Sequence, residues 1–156
     1  MYDSDLFLSS QKTIENSLGF RQLFKALPAQ TELSVSLDGR IPCALTFHDP
    51  VTHLEPRAAK HGSDFELTLF PESIRRLSEK SPDDLITLVS ELTRLVLAGH
   101  AKIKLQTSLP ELYKKGYSES LKALAPEVQN ELSKLSFVLM SQAHQAVEKI
   151  KRLLSR

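Results

Sequence analysis

The chain has 156 residues, of which 41% are hydrophobic and 25% charged, and it contains one cysteine. This length and composition are typical of one globular domain that buries a core without disulfide or metal cross-links. A formal charge of +1 and the absence of tryptophan argue against a nucleic-acid-binding protein, which needs a basic surface and aromatic side chains for stacking.

The start of the chain and its apolar segments predict its location. Residues 1–10 lack the basic start and sustained apolar stretch of a secretory signal, and no apolar run approaches the roughly 18 residues of a membrane span. Cys43 has no partner for an intrachain disulfide, which fits a reducing compartment. We therefore expect a cytoplasmic protein.

Residues 5–25 predict a helix. Their apolar residues recur at mostly helical spacing, while Gly19 weakens the pattern near the middle. We expect one helix, continuous or broken, that ends before Pro28.

A β-hairpin follows. Apolar and polar residues alternate over residues 31–37 and again over residues 41–47. The intervening Asp38 and Gly39 tolerate the positive φ angles of a tight turn. Residues 51–55 form either a third short strand or part of a polar loop.

Two further strands and two helices occupy the middle of the chain. Residues 65–69 alternate and lead through Pro71 into a helix. A second helix is predicted over residues 82–98, with Ser81 as its N-cap and Gly99 as its C-cap. Residues 101–105 alternate again and predict a strand with one face in solvent.

The C-terminal third is predicted to be helical. A capping box at Ser108 opens a short helix that Gly116 closes, and a long helix begins near Pro126. Phe137 and Val138 widen the apolar stripe of the long helix, so its first half is expected to dock on the domain and residues 149–156 to contact a partner. The seam of this helix, at steps of three and four, consists of Leu132, Leu135, Leu139, Ala143, Ala146, Ile150 and Leu153.

These elements predict an α+β fold. An antiparallel sheet of four to five strands has one apolar face, which helices must cover, and a long amphipathic helix ends the chain.

No catalytic motif is apparent. The histidines and carboxylates of residues 48–61 match no standard metal-site spacing, so we interpret them as solvated loop residues. Cys43 is expected on the inward face of a strand, where a thiol is inert. Basic residues are frequent between Arg75 and Lys115 and could serve an anionic head group, but interspersed glutamates favour a solvated surface.

The segment from about Phe7 to Tyr117 resembles the lipid-binding domain of the sterol carrier protein family, type two. Two stretches carry the resemblance: DFELTL at residues 64–69, followed by Pro71 and helices, and LAGHAKIKL at residues 97–105. The family's usual glycine after the last strand is replaced here by residues 106–108. The resemblance divides the chain into a sterol-carrier-like domain, residues 1–120, and a helical extension, residues 121–156, that packs on the domain or on a partner.

The resemblance implies an apolar cavity between the sheet and its helices for a fatty acyl chain, a sterol or an isoprenoid. The residues expected to line it are Ile74, Leu77, Leu88, Leu92, Leu95, Leu105, Leu109 and Leu112. A filled core is the alternative, since the same residue types line pockets and fill cores.

The leading hypothesis is a protein without enzymatic activity or cofactor that binds or presents an apolar lipid, with transient membrane contact. The alternative is an adaptor with no ligand cavity, in which the C-terminal seam binds another protein or a second copy of the chain. Acyl-group chemistry at Cys43 or the histidine loop ranks third.

Overall fold

The computed structural model describes residues 3–60 and 64–155, except for the side chain of Leu109. The elements in chain order are α1 (Asp3–Glu15), α2 (Leu18–Ala26), β1 (Leu33–Leu37), β2 (Ile41–His48), β3 (Val51–Glu55), β4 (Phe65–Leu69), α3 (Pro71–Lys80), α4 (Leu85–Leu97), β5 (Ala101–Leu105), α5 (Leu109–Lys114), α6 (Tyr117–Lys122) and α7 (Pro126–Leu154). The predicted fold class is confirmed, and the short strand β3 and the helix α6 complete it.

The N-terminal helical segment is broken at Ser17, which caps α2. Its hydroxyl accepts a hydrogen bond from the Phe20 amide and donates one of 3.1 Å to the Pro82 carbonyl. Gly19, which weakened the sequence pattern, lies where α2 approaches α4. A Cβ atom at this position would be 2.9 Å from both the Asp84 carbonyl oxygen and the Leu88 Cβ. Glycine therefore permits the close packing of these two helices.

The hairpin between β1 and β2 is confirmed. Asp38 and Gly39 have φ angles of 56° and 70°, and the Arg40 amide donates to the Leu37 carbonyl at 3.0 Å. Two consecutive positive φ angles define the turn type that matches the twist of paired strands.

The five strands form one sheet in the order β3-β2-β1-β4-β5. Three neighbouring pairs are antiparallel as predicted, whereas β1 and β4 are parallel, with Val35 opposite Leu67. The antiparallel expectation was wrong for this pair because β4 adds beside β1, at the opposite edge from β3. The register places Glu55 at the end of β3 level with Glu66 at the start of β4, so both strands run in the direction of β1.

One face of the sheet is buried by helices. Leu33, Val35 and Leu37 alternate with half-buried serines along β1, and their cross-strand neighbours Cys43 and Leu45 are buried on the same face. Helix α1 contacts β3, α2 packs on α4, and α4 contacts β5. The hydrophobic core thus lies between this inner face and helices α1 to α4.

Helix α4 begins three residues later than predicted. Asp84, not Ser81, is its N-cap and accepts from the Thr87 amide at 2.8 Å. Ser81 instead ends α3 in a left-handed conformation, and Pro82 lies in the connection rather than at the first helical position. The hydrogen bond to Thr87 lowers the pKa of the Asp84 carboxyl group.

The first half of α7 packs on α4. Leu135 is buried, Leu132 and Leu139 are half-buried, and the Gln142 side-chain amide donates to the Val96 carbonyl at 3.2 Å. Phe137, expected to join this contact, is 73% exposed because it lies on the side of α7 that faces away from α4. Among the helices of the described residues, none combines the length and apolar content needed to cross a bilayer.

Candidate functional site

Five of the predicted cavity residues belong to the packed core. Ile74, Leu77, Leu88, Leu92 and Leu95 are each at most 6% exposed. They join one cluster with the inner face of the sheet, so their side chains fill the space between the helices and the strands.

The remaining predicted cavity residues lie away from that centre. Leu105 at the end of β5 is 44% exposed, and Leu112 on α5 is half-buried. The side chain of Leu109 lies outside the described part of the structure. The predicted set is therefore divided between the core and one end of the sheet.

The apolar inner face extends beyond the cover of the first four helices. On β4, Leu69 is fully buried, whereas Leu67 and Phe65 are half-buried. On β5, burial decreases in the same direction, from Ala101 to Leu105. The strands are paired so that Phe65 lies opposite Leu105 and Leu67 opposite Ile103. We call the patch formed by Phe65, Leu67, Ile103 and Leu105 the open end of the sheet.

A polar cluster attaches the α5–α6 segment to the open end. Asp64 accepts hydrogen bonds from the Lys115 ammonium at 2.5 Å and from the Tyr117 hydroxyl at 2.8 Å. The Tyr117 ring packs edge-on against Phe65, with ring centroids 5.6 Å apart. Burial and the neighbouring Asp64 carboxylate raise the pKa of the Tyr117 phenol, so it stays a neutral donor. This cluster had no signal in the sequence because its members are far apart along the chain.

A groove with a mixed polar and apolar lining lies near the same end of the sheet. It has a volume of about 330 Å³ and is lined in part by Phe24, Leu27, Thr31 and Phe47. The Phe24 and Phe47 rings are stacked with centroids 5.8 Å apart. A second groove, of about 340 Å³, is mainly polar and lies between α1 and the end of α3.

Cys43 is buried on the inner face, as predicted. Its side chain is 1% exposed, and burial raises the pKa of the thiol to about 11. A thiol held in its neutral form is a poor nucleophile. Cys43 therefore belongs to the core.

The histidine segment does not assemble a metal centre in the part of the chain that is described. His48 and His53 lie on neighbouring strands with ring centroids 5.6 Å apart, while His61 falls outside the described residues. No group of three or more histidine, cysteine or carboxylate side chains with metal-binding geometry occurs among the described residues.

Several basic residues in the middle of the chain are paired with carboxylates. Arg75 contacts both Glu72 and Glu79, and Arg76 also contacts Glu72. The two guanidinium groups lower the pKa of the Glu72 carboxyl group to about 2. These pairs on the exposed face of α3 agree with the prediction of a solvated surface.

Solved structures of low sequence identity are similar to this chain. No family model matches the sequence, and no curated protein matches it significantly. The chain is similar to the solved structure of a UbiJ-SCP2 ubiquinone synthesis protein, with a TM-score of 0.40, 12% identity and coverage of 86% of this chain and 92% of that one. It is also similar to sterol carrier protein 2 from Yarrowia lipolytica in its apo form, with a TM-score of 0.36, 17% identity and coverage of 65% and 90%.

A third similar structure belongs to a larger protein. The sec-alkylsulfatase Pisa1 from Pseudomonas sp. shares 18% identity with this chain at a TM-score of 0.38, over 63% of this chain and 15% of the alkylsulfatase. TM-scores of this size do not establish a shared fold. The resemblance to the sterol carrier protein family therefore depends on the sequence segments and element order described above.

Proposed function

We propose that the chain binds an apolar lipid, the class of ligand that its sequence resemblance implies, at the open end of its sheet, and that it carries out no reaction on it. The observation that supports this proposal is the gradient of burial along β4 and β5. Four inner-face side chains remain apolar where the cover of α1 to α4 ends. Leu105, the most exposed of them, stands where a sheet face in solvent usually carries a polar residue.

The centre of the domain is a poor place for the ligand. Leu88 and Leu95 are essentially inaccessible, and displacing them would require the core to repack at considerable cost. At the open end, by contrast, Leu105 already contacts solvent and its neighbours are half-buried. An apolar chain placed there would remove existing exposed apolar surface from water, which favours binding.

Entry of a lipid at this site involves the α5–α6 segment. These two short helices are fixed to β4 through Asp64 and Tyr117, and they make few other contacts with the sheet or its covering helices. An outward displacement of this segment would carry the Tyr117 ring away from Phe65 and widen the space above Phe65. The proposed ligand is therefore a single extended apolar chain, which needs less room than a bulky ring system.

Titration with the fluorescent fatty acid cis-parinaric acid tests the proposal, and native mass spectrometry tests for co-purified lipid. Leu105→Ser should weaken probe binding about tenfold, as expected from the loss of a large apolar side chain at the contact. Leu8→Ser is the matched control, because Leu8 is 59% exposed on α1 and belongs to neither groove. Absence of probe binding, or equal weakening by both substitutions, would rule out a lipid site at the open end.

A further inference from the structure

The C-terminal end of α7 extends past the domain. The contact of Gln142 with Val96 lies next to the end of α4 at Leu97. Beyond it, every residue from Ala143 to Leu154 is exposed except the half-buried Glu148. At a rise of about 1.5 Å per residue, this part of the helix extends by roughly 18 Å.

An apolar stripe that does not continue the face docked on α4 begins at Met140 and runs into the extending part. Met140, Val147 and Leu154 are 72%, 49% and 82% exposed. Met140 is five residues from the buried Leu135, which places it about 140° around the helix axis from the docked face. Steps of seven residues keep Val147 and Leu154 near the direction of Met140. The stripe is therefore a second apolar surface, distinct from the contact with α4.

Basic side chains accompany this stripe. Lys149, Lys151 and Arg152 outnumber the single acidic residue, Glu148, in the described part of α7 past Gln142. Glu148 pairs with Lys151 at 3.7 Å, and within the described residues no carboxylate pairs with Lys149 or Arg152. The exposed end of α7 thus combines an apolar stripe with an excess of positive charge.

We propose that the end of α7 docks on an anionic membrane surface, with the stripe at the lipid boundary and the basic residues near the head groups. Helices that lie in a membrane interface combine these two features, and anionic lipids attract each additional lysine or arginine. A second copy of the chain fits less well, because pairing two stripes would bring two sets of uncompensated positive charges together. This proposal does not depend on the lipid site at the open end.

Flotation of the full-length protein with vesicles tests the proposal. We expect binding to vesicles of phosphatidylcholine mixed with phosphatidylglycerol, little binding to phosphatidylcholine alone, and weakening as salt screens the charges. The double substitution Lys149→Glu with Arg152→Glu should reduce binding more than about tenfold, and Val147→Glu should reduce it strongly. All three positions are exposed, so these variants should remain folded.

Matched control substitutions show whether a loss of vesicle binding is specific to the end of α7 or follows from any change of charge or apolar surface. Lys104→Glu on the solvent face of β5 and Leu97→Glu at the end of α4 alter exposed residues elsewhere and should leave vesicle binding nearly unchanged. The proposal is overturned if neutral and anionic vesicles bind equally, or if neither binds. It is also overturned if sedimentation shows a dimer that Val147→Glu dissociates while vesicles fail to bind, since the stripe would then pair copies of the chain.

Discussion

The close approach of α2 and α4 at Gly19 leads to a sharp prediction for Gly19→Ala. In most helices this change is stabilising by up to about 1 kcal/mol, because alanine restricts the unfolded chain and favours the helix. Here the new methyl group would lie 2.9 Å from the Asp84 carbonyl oxygen and 3.2 Å from the Pro82 carbonyl oxygen. Backbone oxygens cannot rotate away as a flexible side chain would.

The two effects have opposite signs, and their sizes decide the outcome. Forcing an extra methyl group into a packed contact costs about 1–3 kcal/mol. Moving α2 outward would also weaken the hydrogen bond of 3.1 Å from the Gly19 amide to the Pro82 carbonyl, which contributes about 1 kcal/mol. We therefore expect Gly19→Ala to lower the free energy of unfolding by about 1–2 kcal/mol in spite of the gain in helix propensity.

Urea denaturation followed by circular dichroism measures this change. The neighbouring substitution Leu18→Ala is the control, because Leu18 is 47% exposed and its truncation should change stability by less than about 0.5 kcal/mol. A Gly19→Ala protein as stable as the wild type, or more stable, would show that the two helices separate without cost and that glycine is not required there.

Three further substitution and labelling experiments test the core. Leu92→Ala should lower the free energy of unfolding by about 2–5 kcal/mol, since Leu92 is buried in the main cluster, and a change under about 0.5 kcal/mol would contradict that position. Thr52→Val should raise stability by about 1 kcal/mol, because the buried Thr52 hydroxyl has no hydrogen-bond partner among the described residues. Thr93→Val, its control, should not, because the Thr93 hydroxyl donates to the Val89 carbonyl at 2.8 Å; equal shifts in both variants would refute the reasoning. Cys43 should react with Ellman's reagent at pH 8 about a hundredfold more slowly than a free thiol, because its pKa is raised to about 11. In urea the unfolded protein should react at the ordinary rate of a free thiol. Rapid reaction of the folded protein would contradict the burial of Cys43.

The elements that the sequence predicted well are those whose signals are local. Alternation and the turn at Asp38 and Gly39 predicted the first hairpin, and regular apolar steps predicted the continuous helix from Pro126. The start of α4 was misplaced because Ser81 and Asp84 are both good capping residues. The choice between them depends on a distant contact, since the Gln22 side chain accepts a hydrogen bond from the Leu85 amide at 2.8 Å.

The candidate site was less predictable for a related reason. Leu88 in the core and Leu105 at the open end are both leucines in regular apolar patterns. No local sequence signal distinguishes a residue packed in the core from one that lines a binding site. What separates them is how far the helices extend over the sheet. The position of the α5–α6 segment depends on Asp64 and Tyr117, which meet only in the folded chain.

The parallel pairing of β1 with β4 has a consequence for the order of folding. Strands β1 to β3 are joined by tight connections, so this meander can form from contacts between sequence neighbours. Strands β1 and β4, in contrast, are separated along the chain by β2 and β3. Closing this longer loop costs more chain entropy. We expect pulse-labelled hydrogen exchange to detect protection in β2 before β4 and β5. Strands β4 and β5 would then join strands β1 to β3 late in folding. The open end would therefore be the last part of the inner face to become buried.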